Sequence, residues 1–224
     1  MNNNINNLFG EVIFIRKKIK DSIKHIFNKP NDKILDIGCG KNPFYKDVIA
    51  GNIIGFDRFS SKTVIEGNAN NPLPFPDRSF DKIILANSLY YLDNPFEVIK
   101  EVYRILKPRG ILFISLPFFY PVHDIPDDKY RFTEFGVRTI LKKYFVITKL
   151  EAIGGIFTIP SILVHNLIKG IQRITKPKTS KWIIYIFLYI PYMALQFVGL
   201  LDTLLPITKR WATYYVVVAQ KPKL

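Results

Sequence analysis

Residues 34–44 read Ile-Leu-Asp-Ile-Gly-Cys-Gly-Lys-Asn-Pro-Phe. The segment from Lys33 to Ile37 is short, mostly apolar and β-branched, with Asn31-Asp32 before it and Gly38 after it. That is the pattern of a buried parallel strand. Gly38 and Gly40 let the backbone turn sharply and leave room for a ligand to lie against it. Asn42 and Pro43 have the chemistry of a helix start, Asn as N-cap and Pro in the first helical position, which predicts a helix from Pro43 to about Ala50. Strand, glycine turn and helix start in succession make a nucleotide-binding crevice at the carboxyl end of the first strand of an α/β sheet. A dinucleotide fingerprint, G-x-G-x-x-G, would need a third glycine where Pro43 stands. The strand instead carries Asp36 just before the loop, which suits a ligand bearing an amine or a cation.

The pattern continues downstream. Asn52 to Asp57 reads as a second strand ending in a carboxylate, 21 residues after Asp36. A carboxylate is acceptor-only and can take both hydroxyls of a ribose. Thr63 to Glu66 predicts a short third strand. Pro72, Pro74 and Pro76 then rule out helix or central strand and predict a rigid loop. Lys82 to Ala86 is the fourth strand and Pro95 to Leu106 a helix, ending at a Lys107–Gly110 turn before a fifth strand, Ile111 to Leu116. Thr133 caps a helix to about Tyr144. Phe145 to Ile153 and Thr213 to Gln220 are the last two strands.

These motifs resemble those of the class I S-adenosylmethionine-dependent methyltransferases, of the type 11 kind. The resemblance covers roughly residues 33–153 and 211–221. An acid followed by G-x-G is that family's first motif. Residues 67–77 resemble its "G-D-A-x-x-L-P-F-P-D" segment, with Asn68 in place of the usual Asp. Residues 87–95 resemble "S-N-V-L-E-H-L-x-D-P", with Asn87 matching and Tyr91 in place of the usual His. The order "D-K-I-I", helix, "L-K-P-R-G-I-L" is a further match. The resemblance implies a Rossmann-like seven-stranded, mostly parallel sheet of order 3-2-1-4-5-7-6, with strand 7 antiparallel, and S-adenosylmethionine as cofactor. It implies cofactor contacts at Asp36, Gly38, Gly40, Asp57, Asn68, Ala69 and Asn87, with the Asn68 amide oxygen accepting from the adenine amino group.

The loop from Pro117 to Thr133 lies past strand five, at the edge where substrates sit in open α/β sheets. It concentrates aromatics, carboxylates, His123 and Arg131, and resembles a subgroup with "H-x-x-P-x-D-x-x-R-(F/Y)-T". Methyl transfer from a sulfonium needs mainly positioning and, for a hydroxyl acceptor, a base. His123 is the candidate base. Asp124 or Asp128 would orient it, and Arg131 would hold a substrate phosphate or carboxylate. The alternative is structural: an Asp128–Arg131 ion pair with His123 capping the loop.

The net charge of +14 and pI near 9.7 fit an anionic partner, or compositional drift in a Lys-, Asn- and Ile-rich chain. Charge alone suggests nucleic acid, but no recognition helix or aromatic-basic platform supports that reading. Cys39 is the sole cysteine, which excludes an intrachain disulfide and fits a reducing cytosol; inside the glycine loop it reads as a space-filler. No metal-ligand cluster is apparent. Residues 1–30 form an amphipathic basic helical segment, with apolar residues at Leu8, Val12, Ile15, Ile19, Ile23 and Ile26. It is either packed on the domain or laid on a membrane or the cofactor mouth, and it lacks the features of a secretory signal.

The methyltransferase domain is expected over 31–155 plus 211–224. Residues 156–210 form a hydrophobic and basic helical insertion where a short connection is usual. It carries a basic stretch from Lys169 to Lys181 and an apolar one from Ile183 to Leu205. Pro191, Asp202 and the need to return for strand seven argue against a single span, leaving a monotopic hairpin or interfacial helices on a membrane, or a hydrophobic lid or dimer face. The expected acceptor is a small molecule or a lipid- or glycan-linked one, methylated on the cytoplasmic face of a membrane. A catalytically silent, cofactor-binding membrane scaffold is the alternative, for which the Asn68 and Tyr91 departures leave room.

Overall fold

The computed structural model describes residues 13–174 and 190–223, without the side chains of 172–174 and 206–208. Within these, residues 19–118, 122–151 and 215 onward form one compact unit, and residues up to 18, 119–121 and 152–214 a second.

Seven strands form one sheet: β1 Lys33–Ile37, β2 Asn52–Asp57, β3 Val64–Glu66, β4 Phe80–Ala86, β5 Leu106–Pro117, β6 Val146–Ile153 and β7 Tyr214–Gln220. Their order is β3-β2-β1-β4-β5-β7-β6. The first five pair in parallel. β7 runs antiparallel, as its register against β6 requires: Thr213 pairs with Ile153, and Thr148 Oγ1 reaches the Val218 carbonyl, so one number rises as the other falls. The central strands are buried on both faces. Beyond Lys33, β1 is wholly buried, and β4 and β7 nearly so, which explains their mostly apolar composition.

Parallel register aligns the strand ends. Leu35 lies beside both Ile54 and Ile83, so β1, β2 and β4 all terminate at one edge. Gly38, Asp57 and Asn87 leave the sheet there.

Helix α1, Ile13–Ile26, buries Ile15, Ile19 and Ile23, and the stripe continues to Phe27. Phe27 meets Phe113 of β5 edge-on at 6.2 Å, and the Lys82 ammonium binds the Ile26 carbonyl and pairs with Asp32 at 2.6 Å. The carboxyl half of α1 is thus packed on the sheet; the expected start of this helix, residues 8–12, lies outside the described residues. Helix α2, Pro95–Ile105, begins where Asn94 Oδ1 accepts from the Glu97 N–H at 3.3 Å, and buries Val98, Ile99, Val102 and Ile105 along one face. Helix α3, Glu134–Leu141, is capped by Thr133, whose hydroxyl accepts from the Gly136 N–H at 3.1 Å.

Two local expectations are corrected. Asn42 and Pro43 do not open a helix: the connection after β1 contains only a single 3-10 turn, Lys46–Val48, following Tyr45. The side chain that would need helical periodicity to reach the core is Tyr45 alone, and a turn suffices to bury it. Lys107–Gly110 is not a free turn but the start of β5. Leu106 lies opposite Phe80 and Ile111 opposite Lys82, so the extra residues bulge outward, with Arg109 at φ 63°. The Arg109 N–H donates to the Lys221 carbonyl and the Lys221 N–H to the Gly110 carbonyl, which absorbs the backbone that a turn would leave to solvent.

In the second unit, helix α4, Ile159–Ile174, is followed by helix α5, Ile190–Val198, and two 3-10 segments, Gly199–Thr203 and Pro206–Trp211. Asp202 is buried and satisfies the backbone before α4: its carboxylate accepts from the N–H groups of Phe157 (3.2 Å) and Thr158 (2.8 Å) and from the Thr158 hydroxyl (2.7 Å). Among the described residues no helix is long and apolar enough to cross a membrane. Most of the basic stretch expected at 169–181, and the first part of the apolar one that follows it, lie outside them.

Candidate cofactor site and acceptor loop

A cavity of about 330 Å³ opens at the carboxyl edge of β1, β2 and β4. Its floor is the glycine loop. Gly38 and Gly40 have φ of 72° and 65°, the left-handed region that favours glycine. A Cβ on Gly38 would lie 2.5 Å from the Ser88 Cβ, whereas Gly40 faces open space.

Asp57 binds this loop to the wall of the cavity. One carboxylate oxygen accepts from the Gly40 N–H at 2.8 Å and the other from the Arg58 N–H at 2.7 Å. Each oxygen retains a second lone pair for a ribose hydroxyl. Asn68 and Ala69 line the opposite wall. The Asn68 amide oxygen already accepts from the Asn70 N–H at 3.0 Å, an Asx turn that shapes the loop, so it has one lone pair left for an adenine amino group. Asn87, at φ 55°, accepts from the Ser115 hydroxyl at 3.0 Å.

Asp36 is placed differently from its six companions. It does not line the cavity; it is buried, and both oxygens accept from the Tyr45 hydroxyl at 3.2 and 3.1 Å. Burial pushes its carboxyl up to about 7, against the Tyr45 hydrogen bond and with the help of the Asp57 charge. Cys39 is pushed up to about 12 by burial and then by Asp36 and Asp57, so it stays a thiol. A Cβ on Gly55 would meet its sulfur at 2.7 Å, which is what a space-filler looks like.

The loop after β5 closes the other side. It is tied down by Lys129 and Tyr130, whose N–H groups donate to the Tyr90 carbonyl, and by an Arg58–Asp127 ion pair at 3.2 Å across the cavity lining. Asp124, also lining the cavity, accepts from the Tyr91 hydroxyl at 2.7 Å, and burial together with this bond pushes the Tyr91 phenol upward. His123 lies between two partners. Its Nδ1 is 3.2 Å from Asp128 Oδ2 and its Nε2 is 3.1 Å from the Tyr90 hydroxyl. The Asp128 side chain is buried and also accepts from the His123 N–H and from the Arg131 guanidinium in a fork. Burial alone would raise the Asp128 carboxyl, but the Arg131 pair and the His123 N–H hold it below its usual range. Of the two candidate orienting acids Asp128 contacts the His123 imidazole and Asp124 accepts from Tyr91; Arg131 pairs with Asp128.

Ser88, Arg58, Asp127, Lys129 and Tyr45 join the site without having been singled out in the sequence. Ser88 and Arg58 adjoin the recognised Asn87 and Asp57, so nearness in the chain was the available signal. Tyr45 had none, because its role depends on the turn that replaces the expected helix.

The cavity lining fits an adenosine-bearing cofactor. Its volume suits a small-ligand site. The glycine loop leaves room for backbone approach, Asp57 lines the cavity with acceptor capacity left on each oxygen, and the buried Ser88 hydroxyl in the wall has no hydrogen-bond partner among the described residues. Residues 35–114 match the family model described as a methyltransferase domain. That match and the sheet order are what the chain shares with the class I S-adenosylmethionine-dependent methyltransferases, which it resembles. The chain is 31% identical over 111 residues to the demethylmenaquinone methyltransferase of Lysinibacillus sphaericus, covering 41% of this chain and 47% of that protein. It is 39% identical over 71 residues to a ubiquinone/menaquinone biosynthesis C-methyltransferase of Pseudoalteromonas translucida, covering 32% of this chain and 28% of that one. The chain thus spans about half or less of the length of these relatives. Among solved structures it resembles the cyclase SpnF (TM-score 0.61, 19% identity, 92% of this chain and 81% of that one) and YcgJ of Bacillus subtilis (TM-score 0.56, 12% identity, 93% and 99%). At such identity the likeness concerns the fold alone. S-adenosylmethionine is the cofactor of the family.

Proposed function

We propose that this protein transfers a methyl group from S-adenosylmethionine to a small-molecule or lipid- or glycan-linked acceptor at the cytoplasmic face of a membrane. The observation that carries the reading is one cavity that joins the glycine loop and Asp57 to the acceptor loop bearing Asp124, next to His123. When bound, S-adenosylmethionine supplies an electrophilic methyl group on a sulfonium.

The protein supplies the rest. Gly38 and Gly40 admit the cofactor backbone-close, Asp57 accepts the ribose hydroxyls, and Asn68 and Ala69 line the adenine side. Tyr91 and Asp124, hydrogen-bonded to each other, border the reacting end. Asp128 accepts from Nδ1–H of His123, which leaves Nε2 as the basic nitrogen. His123 then takes the acceptor's proton at Nε2, with the Tyr90 hydroxyl moving aside or passing that proton on. The partial likeness to demethylmenaquinone and ubiquinone/menaquinone methyltransferases supports a quinone-type small-molecule acceptor.

The test is calorimetric titration of the folded protein with S-adenosylmethionine and its demethylated product, followed by radiolabelled methyl transfer into membrane lipid extracts. Micromolar-range binding and label in an extracted product support the reading. A folded protein that binds neither ligand overturns it.

A further inference from the structure

In the second unit polar side chains share the buried face with apolar ones, while many large apolar side chains are exposed. On α4 the buried face carries Ser161, Ile162, His165 and Ile168, while Leu163 and Leu167, one turn apart, are exposed. On α5 and the 3-10 segment after it the buried positions include Tyr192, Gln196 and Asp202, while Phe197, Leu200 and Leu204 face out, Phe197 at 69% and Leu204 at 72% exposure. His165 stacks beside Tyr192 with ring centroids 5.6 Å apart, and its Nε2 and both amide atoms of Gln196 are buried without a partner in the protein. Burial, reinforced by Lys169 and Arg16, pushes the His165 imidazole down to about 4, so it is neutral. A water-facing helix turns a polar face outward. An apolar patch of this extent on a water-soluble surface marks an interaction site.

The charges say what covers it. Residues 156–212 contain seven Lys or Arg and a single acid, Asp202. That acid is buried and occupied with Phe157 and Thr158, so it offers nothing to the surface. Lys169, Lys209 and Arg210 are exposed beside the apolar residues. A face that is apolar and cationic with no exposed carboxylate is complementary to anionic lipid headgroups over acyl chains. A second copy of the chain would bring cations against cations. The absence of a sufficiently long apolar helix among the described residues leaves a surface-lying arrangement.

We infer that α4, α5 and the 3-10 segment following α5 dock in the interface of an anionic phospholipid membrane through Leu163, Leu167, Phe197, Leu200 and Leu204. This deepens the membrane part of the proposed function and does not depend on methyl transfer itself.

The experiment is co-sedimentation of the full chain with vesicles of phosphatidylcholine alone or mixed with phosphatidylglycerol, at low and high salt. The inference expects binding to the mixed vesicles, weakened by salt. It expects a loss of about tenfold or more in partitioning for the double variant Phe197→Asp, Leu204→Asp, and none for Phe135→Asp, which replaces an exposed ring of the other unit. Calorimetric cofactor binding, unchanged in the double variant, shows that it is folded. Vesicle binding that is absent, or indifferent to the double substitution, overturns the inference. So does a dimer in light scattering that the substitution dissociates while vesicle binding is nil. Vesicle binding with no cofactor binding would sink the transfer reading and leave the membrane surface standing.

Discussion

Burial of the Asp36 carboxyl, held at about 7, builds a pH dependence into the fold. The unfolded chain releases this proton near 3.9. Between about pH 4 and pH 7 the folded state therefore holds more protons than the unfolded one, and this group's contribution to stability falls as pH rises. The variant Asp36→Asn removes that titration. Its stability relative to the parent should shift in the variant's favour by up to a few kcal/mol between about pH 4 and pH 8; a difference constant with pH would refute the assignment. Asp57→Ala removes a charged acceptor from the cavity, and calorimetry should show cofactor affinity falling about tenfold to a hundredfold, as for hydrogen bonds to charged groups. His123→Ala should leave cofactor binding intact and lower the transfer rate about a hundredfold or more. Asp128→Asn, which disturbs the orientation of the imidazole and also the buried Arg131 pair, should lower the rate less and move its pH profile. Unchanged turnover in the His123 variant would sink the base proposal.

At the scale of elements, Arg104 on α2 is the hub of the proline loop. Its guanidinium donates to the Leu73 and Phe75 carbonyls and pairs with Asp77 and Glu101, all near 2.8–3.0 Å. These bonds replace the regular pairing that Pro72, Pro74 and Pro76 forbid. Arg104→Met should cost about 1–3 kcal/mol in chemical denaturation and weaken cofactor binding through the Asn68–Ala69 wall; a loss of stability with binding fully retained would show that the wall is held otherwise. The glycine turn is bound as tightly by sterics. Gly38→Ala places a methyl group 2.5 Å from the Ser88 Cβ at a positive φ, so cofactor binding should be lost more completely than in any single polar variant of the wall.

For the whole molecule, the net charge of +14 is not spread evenly in its consequences. In the methyltransferase unit many of the cations have carboxylate partners: Lys82 with Asp32, Arg104 with Asp77 and Glu101, Lys107 with Asp81, Arg131 with Asp128. Over residues 156–212 the single acid, Asp202, is buried, while Lys169, Lys209 and Arg210 are exposed among apolar side chains. Association with anionic surfaces should therefore fall steeply with ionic strength. In vesicle binding that salt dependence should follow charge removal at Lys209 and Arg210 and not at Lys100, whose partner Glu97 is close by.

The strand order came from the family resemblance; the sequence by itself determined the strands, the glycine turn and the Thr133 cap. Each of these rests on local chemistry: a buried strand needs an apolar run, a tight turn needs Gly, a cap needs Asn or Thr. It also exposed the insertion as apolar and basic. Only the tertiary structure decided that Asp36 turns to Tyr45, that Asp128 and not Asp124 holds His123, and that Arg131 is committed to Asp128. Those choices depend on which of several nearby side chains meet, at separations of 9 residues for Asp36–Tyr45, 5 for His123–Asp128 and 3 for Asp128–Arg131, and spacing along the chain does not say which of the candidates pair. The same holds for the exposed apolar face of α4 and α5. Composition shows that Leu163, His165, Gln196 and Phe197 are present, but which of them face inward is set by how the two helices pack.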